Sequence, residues 1–431
     1  MRKGRFLRKS MFFLVIFLVF SSICHPLNIL GQEVGPNEML KIEVKDNLVS
    51  VDAKDADLSA VLKEIGRKIG IKMTVNQALV GKNISFYSDK LDVEKVLKEI
   101  LHDSAYVLTF SQDAVSKKNV LKEVKVLGDV IGSNPYKGKM ITIDIPYGSG
   151  VGKVGAIDEG EGAMGGPPSF AVDGGGNIYI LDPLNRRIQK YSNNGGYLSS
   201  IPLETTACDI AIDNESIYIY RCGDGIVKKL YQYNKDGQVI AEIDVDASRW
   251  KIYDAPISVV NNNIYIDTCD YNDSCGLFLI GRLSNGKILS KPSSEESRYP
   301  IGKKIGLSGK EYTAGVKKGL GGELRIKEKD TGITNIISFP LKNILSLEFF
   351  AEDESGNLFV KTDRDNDKDE LVEEFHEFSA NDEYIETIRM PESNINYRST
   401  KNYILSKDDI IYQFLPEQNK LRLNILPIED K

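Results

Sequence analysis

Six short stretches carry the same apolar and aromatic wording at long, regular intervals. They are "GNIYI" from Gly176, "ESIYI" from Glu215, "NNIYI" from Asn262, "GKEYT" from Gly309, "GNLFV" from Gly356 and "DDIIY" from Asp408. The matching positions are Tyr179, Tyr218, Tyr265, Tyr312, Phe359 and Ile411, at steps of 39, 47, 47, 47 and 52 residues. A lone hairpin does not return in this way. Such a period means one supersecondary unit repeated, each copy burying its apolar face against the next.

Each copy also closes on a strand of similar wording: "YLSSIPL", "VIAEIDV", "KILSKPS", "ITNIISFP" and "YIETIRMP". The sixth copy ends at "NKLRLNILPIEDK" and lacks one, but "MITIDIP" at residues 140–146 stands ahead of the first copy to supply it. Four short strands per unit at a period in the forties predict a β-propeller, and closure by an N-terminal strand removes open sheet edges. The expected fold is a small α/β domain followed by an all-β six-bladed propeller over residues 140–431.

The chain begins differently. "MRKGRFLRKS" holds five Lys and Arg and no acid, and "MFFLVIFLVF" follows. A basic segment before a short apolar run reads as a secretory signal, assigned to residues 1–31, with retention as an uncleaved membrane anchor left open. Residues 32–47 are expected to be a linker. Cys24 sits in a poor lipobox, since Ile23 just before it is bulky. Removal of residues 1–31 and their five positive charges takes the formal charge from −7 to −12. So acidic a chain is unsuited to nucleic acid, whose phosphates require clustered cations. The remaining four cysteines, Cys208, Cys222, Cys269 and Cys275, are even in number and show no C-x-x-C spacing. In an exported chain they point to disulfides.

From residue 48 the pattern becomes that of a compact module. Asp57 is placed to cap a helix bearing Leu58, Val61, Leu62, Ile65 and Ile69 at helical spacing, with Gly70 to end it. Asp92 is placed to cap a second, with Val93, Val96, Leu97, Ile100 and Leu101 on one face. With the strands around them the order is β-α-β-β-α-β-β across residues 48–128, with a linker at 129–139. "VSVDAKDADLSAVLKEIGRKIGIKMTVNQALVGKNIS" resembles the secretin and TonB-receptor short N-terminal (STN) domain over residues 48–110. That resemblance implies a periplasmic protein-contact module without catalytic residues. No secretin channel follows it. An unrelated ferredoxin-like module is the alternative.

The first repeat, "GPPSFAVDGGGNIYILDPLNRRIQKYSNNGGYL", resembles an NHL repeat through "P-x-x-x-A-V-D", "G-N-I-Y-I-x-D" and "N-R-R-I-Q-K-Y". The resemblance implies that Asp182, Asn185 and Arg187 tie loop to strand within a blade, a structural role. Later repeats keep the period and lose the motif.

Few constellations carry chemistry. "GSGVGK" at residues 148–153 fails as a phosphate loop, because its first glycine is misplaced and Val154 stands where Ser or Thr should meet magnesium; no nucleotide is expected. His102 and His376 lie far apart with no nucleophile motif beside either, which leaves no triad. The most pointed polar feature is "DRDNDKDELVEE". Asp363, Asp365, Asp367, Asp369 and Glu374 mimic the oxygen spacing of a calcium loop, although Lys368 replaces the glycine of its sharp turn. A solvated acidic insertion is the plainer reading, and calcium is the one cofactor left open. By position the cysteines pair as Cys208–Cys222, across the hairpin "DIAIDNESIYIYR", and Cys269–Cys275, around "DYNDS".

The function expected is that of an exported, periplasmic, non-enzymatic binding or scaffolding protein of the bacterial cell envelope. Its partners would be envelope proteins or peptides, met by the STN-like domain and by the propeller face that bears the second-to-third strand connections. The alternative is a calcium-dependent propeller hydrolase or lyase acting on a small lactone, sugar or peptide. A carboxylate and amide cluster in the central channel would distinguish it.

Overall fold

The computed structural model describes residues 40–46, 48–113, 116, 118–129, 134–135, 139–160, 163–204, 206–213, 216–221, 227–246, 255–269, 275–290, 304–317, 321–365, 371–391 and 400–428. The expected signal segment and Cys24 lie outside these residues.

The N-terminal unit contains the two helices anticipated, Leu58–Ile69 and Val93–Ile100. Asp57 caps the first through Oδ1, which accepts from the Ala60 N–H at 2.8 Å, and its Oδ2 accepts from the Gly81 N–H. Gly70 ends that helix at φ 74°, a left-handed conformation that glycine takes without a Cβ penalty. Val61, Leu62, Ile65, Val96 and Leu97 are fully buried against Leu108 and Val124. Each such side chain contributes about 1.5–3 kcal/mol of burial. One boundary differs from expectation. Leu40–Lys45, inside the supposed linker 32–47, is a strand paired antiparallel with Leu48–Asp57. Its "LKIEVK" alternation buries Ile42, and a turn at Asp46 (φ 53°) reverses the chain.

From residue 141 onward the described chain is mostly β. Successive four-stranded antiparallel sheets follow one another, each ordered as its strands occur in sequence. Their first strands are Ser169–Val172, Asp209–Ile212, Ile257–Val260, Lys304–Ile305, Ile344–Glu352 and Tyr403–Leu405. Tyr179, Tyr218, Tyr265, Tyr312, Phe359 and Ile411 each lie in the second strand of their sheet, and all are buried. The sixth sheet is completed by Ile141–Pro146, paired antiparallel with Lys420–Pro427. This strand plan is that of a β-propeller.

Separate apolar cores lie between neighbouring sheets. Tyr179, Leu181 and Ile217 join the first and second, and Tyr218, Leu230 and Ile264 the second and third. Tyr265 and Leu277 with Ile305 join the third and fourth, the smallest of the set among the described residues. Tyr312 stacks on Phe349 between the fourth and fifth at 3.9 Å between ring centroids, and Phe170 stacks on Phe414 between the first and sixth at 4.9 Å.

The small unit is joined to this series through the backbone. Its strand Ser104–Gln112 pairs antiparallel with Thr334–Phe339, the last strand of the fourth sheet, in register from Thr334↔Phe110 to Ser338↔Tyr106. The fourth sheet therefore runs on, through Asn119–Asp129, to Lys72–Val75 as seven strands. Side chains interlock across the join. Val107 is buried in the core of the fourth and fifth sheets, and Ile336 in the core of the small unit. Lys98 pairs with Glu323 at 3.3 Å, and Lys125 Nζ donates to the Asn381 carbonyl at 2.8 Å. In the expected linker 129–139, Asn134–Pro135 adds a short parallel strand to Tyr384–Arg389 of the fifth sheet.

Candidate functional site

The first strands of all six sheets surround one cavity of about 610 Å³. Its walls are unlike. The first three sheets contribute mainly small and aliphatic side chains, among them Ala171, Ala211 and Ile257, and the fourth to sixth contribute Lys304, Glu348, Lys361 and Tyr403.

One end is crossed by the segment leading into the sixth sheet. The Thr400 N–H donates to the Pro168 carbonyl at 2.7 Å, ahead of the first sheet. Lys401 Nζ then reaches Asp209 Oδ2 at 3.1 Å, the Ile210 carbonyl at 2.7 Å and the Ile257 carbonyl at 3.3 Å, on the second and third sheets. Asp209 is fully buried and also accepts from Ser169 Oγ and from the Ile257 N–H at 2.5 Å. Burial raises its pKa, opposed by the charge of Lys401 and by these hydrogen bonds. The other end is ringed by first-to-second strand turns, including Gly174, Asp213, Leu307, Asp353 and Lys407. Among the described residues the cavity is thus crossed on the side of the second-to-third strand connections, the side expected to bind, and lined by turns on the opposite side.

Two further lysines sit in the wall, each shared between two carboxylates. Lys304 Nζ lies 3.2 Å from Glu348 and 3.4 Å from Asp267. Burial opposes its charge, but Glu348 and Asp267 outweigh that and raise its pKa. Lys361 Nζ contacts Asp363 and lies 3.0 Å from Glu373. Tyr403 donates to Glu373 at 2.5 Å, and burial with that carboxylate holds the phenol well above its ordinary range. No motif marks these lysines in the sequence: Lys304 meets both its partners on other strands, and Lys361 is held by Glu373 on the next strand as well as by Asp363 two residues along its own.

The residues of the expected calcium loop are separated by the sheet. Asp363 lies opposite Glu373, and Thr362 opposite Glu374, in the pairing of Leu358–Asp365 with Leu371–Phe378. Successive residues alternate faces, so Asp363 and Glu374 point to opposite sides. Asp363 also accepts from Ser346 Oγ at 2.6 Å, and Glu374 forms a bidentate pair with Arg364 at 2.9 Å. Asp365 follows at the end of its strand, while Asp367 and Asp369 lie outside the described residues. Among the described residues no group of three or more His, Cys, Asp or Glu is arranged to hold a metal.

Cys208 is disulfide-bonded, and its expected partner Cys222 lies outside the described residues. The Cys208 N–H donates to the Tyr220 carbonyl, which brings its backbone beside the strand that leads to 222. Cys269 and Cys275 are directly opposed in the pairing of their strands.

Asp182 accepts from Asn185 Nδ2 at 2.8 Å, Arg187 Nε at 3.0 Å and the Gly155 N–H at 3.0 Å. Arg187 also donates to the carbonyls of Gly150 and Lys153, and Asn185 to that of Gly148. The three residues therefore pin the glycine-rich stretch 148–153 to the first sheet. His376 is buried between the hydroxyls of Thr362 (2.9 Å) and Thr387 (2.8 Å), and burial lowers its pKa to about 4. His102 is exposed on the small unit and does not line the cavity.

The chain is similar in structure to virginiamycin B lyase from Staphylococcus aureus, at 12% identity over 67% of this chain and 100% of that one, with a TM-score of 0.33. A gluconolactonase from Xanthomonas campestris is similar at 10% identity, over 69% and 99% of the two chains, with a TM-score of 0.35. A member of the DUF4221 family from Bacteroides vulgatus is similar at 11% identity, over 77% and 100%, with a TM-score of 0.37. No family model and no curated protein matches the sequence.

Proposed function

We propose that this is an exported, non-enzymatic binding protein of the cell envelope, in which an STN-like domain and a six-bladed NHL-like propeller act as one body. The observation that carries the reading is the seven-stranded sheet that runs from the fourth set of propeller strands into the small domain. A partner touching either module meets a surface fixed relative to the other, as a scaffold requires. Rigid elements of this kind hold a recognition surface in place more accurately than a tether does. The basic and apolar start of the chain and the disulfide at Cys208 support export. The alternative, a calcium-dependent hydrolase or lyase, requires channel carboxylates to converge on an ion. Here two of the carboxylates lining the cavity, Asp267 and Glu348, share Lys304 instead.

Photo-crosslinkers placed at exposed Tyr87 of the small domain and Leu198 of the first sheet test the scaffold in native cells. The same envelope partner should be trapped from both positions. Fractionation of the full-length chain to the cytosol with free thiols, or calcium-dependent turnover of a lactone, would defeat the reading.

A further inference from the structure

Among the described residues the cavity has an apolar side, a charged side, and more carboxylates than cations: seven carboxylate residues and four lysines line it. Two of those lysines are already committed to carboxylates in or behind the wall: Lys361 to Asp363 and Glu373, and Lys401 to Asp209. Their side chains are only 9% and 16% exposed, so neither is presented to an incoming anion. Glu348 differs: its side chain is 44% exposed, and its cation, Lys304, is shared with Asp267. Around that one ammonium the wall keeps an excess negative charge facing open space. The first and second sheets present the half-buried Val172 and Ile212, which offer an occupant hydrocarbon contact and no hydrogen bonds from their side chains. A concave, mainly apolar site with a few placed polar groups is the usual form of a small-ligand pocket.

We propose that the cavity binds an organic cation with an apolar part, an alkylammonium or alkylguanidinium whose charge sits at Glu348 and Asp267 and whose hydrocarbon lies against the walls of the first and second sheets. The proposal rests on the reading of the chain as a binding protein. The acidic chain, at −7 overall, favours approach of such a ligand. The same chemistry is found in a free amine and in the lysine or arginine side chain of a peptide.

Calorimetric titration of the full chain tests this with n-hexylammonium, hexylguanidinium and a lysyl-leucine amide, against hexanol, hexanoate and calcium. The cations should bind, hexanol at least about tenfold more weakly, as expected for loss of a charged hydrogen bond. Binding should also weaken as salt is raised. Glu348→Gln should lower cation affinity about tenfold, and Lys304→Met should raise it. Ser258→Phe narrows the cavity without changing its charge and should abolish binding, which keeps the test decisive if the charge variants fail to fold. Tighter binding of the dipeptide amide than of hexylammonium marks a peptide as the source, and the reverse a free amine. Equal binding of hexanoate, binding of calcium alone, no cation binding at millimolar concentration, or a folded Glu348→Gln variant with unchanged affinity would each overturn the site. Chemical consumption of the bound cation, read by mass spectrometry, would instead overturn the binding-protein reading and leave the cation site standing.

Discussion

Lys401, in the lead-in to the sixth sheet, places its Nζ 3.1 Å from Oδ2 of Asp209 in the second, where the carboxylate is fully buried. Removing one partner of such a pair leaves a charge in a poor solvent, a cost of about 3–5 kcal/mol. Lys401→Met should therefore destabilise strongly, and Asp209→Asn in that background should restore part of the loss. Burial already raises the folded-state pKa of Asp209, so the folded state retains a proton that the unfolded chain releases. Its contribution is greatest below the ordinary aspartate range and declines as pH rises through the folded pKa. Denaturant unfolding between pH 4 and 8 should show that decline extending further in Lys401→Met than in the parent.

His376 has the opposite dependence. Its folded pKa, about 4, lies below the ordinary value of 6.5. The unfolded chain takes up the proton first, so stability is complete above about pH 6.5 and is lost as pH falls toward 4. The shift corresponds to roughly 3 kcal/mol. His376→Gln should flatten the stability profile in this window, measured by urea midpoints at pH 7.5 and 4.5. An unchanged profile would show that other groups govern acid unfolding.

Val107 and Ile337 are opposed where the small domain meets the fourth sheet. Proline at 107 removes a ladder hydrogen bond from a strand that is paired on both sides. Calorimetry should show a single transition for the parent and two for Val107→Pro, with the separated small domain melting apart from the propeller. One transition at the parent temperature would mean that the shared sheet contributes little to cooperativity.

Peptide mapping without reduction should find Cys208 joined to Cys222 and Cys269 joined to Cys275. Loss of the first by Cys208→Ser should cost about 2–5 kcal/mol. A Cys208–Cys269 link would contradict the observed opposition of Cys269 and Cys275.

Much of the strand order was legible because an aromatic at a fixed position in each second strand has to be buried between sheets, and burial leaves a period in the sequence. The closing strand at residues 140–146 was legible for a related reason, since the sixth repeat lacks its own. The join between Thr334–Phe339 and Ser104–Gln112 was not. Last strands such as "ITNIISFP" and "YIETIRMP" read alike, and only a non-local partner distinguishes the fourth. The cavity lysines were hidden similarly, because Lys304 acquires its role from Asp267 and Glu348 on neighbouring sheets. The acidic stretch is legible only in part: Asp363 and Glu374 fall on opposite faces of a strand pair, a relation set by the register of the hairpin, and Asp367 and Asp369 lie outside the described residues.

The pairing of Ile141–Pro146 with Lys420–Pro427 brings together residues as distant as Thr142 and Asn424, 282 positions apart. The first strand of the ring to leave the ribosome thus waits for nearly the last. Until then the sixth sheet has an open edge, and the stacked pair Phe170 and Phe414 is incomplete. Loop closure over such a span is paid in entropy before any contact rewards it, which slows assembly and leaves strand edges open to aggregation. A chain cut short by its final ten residues would therefore lose more than a tail: the ring would have neither the end strand nor the seat for its beginning.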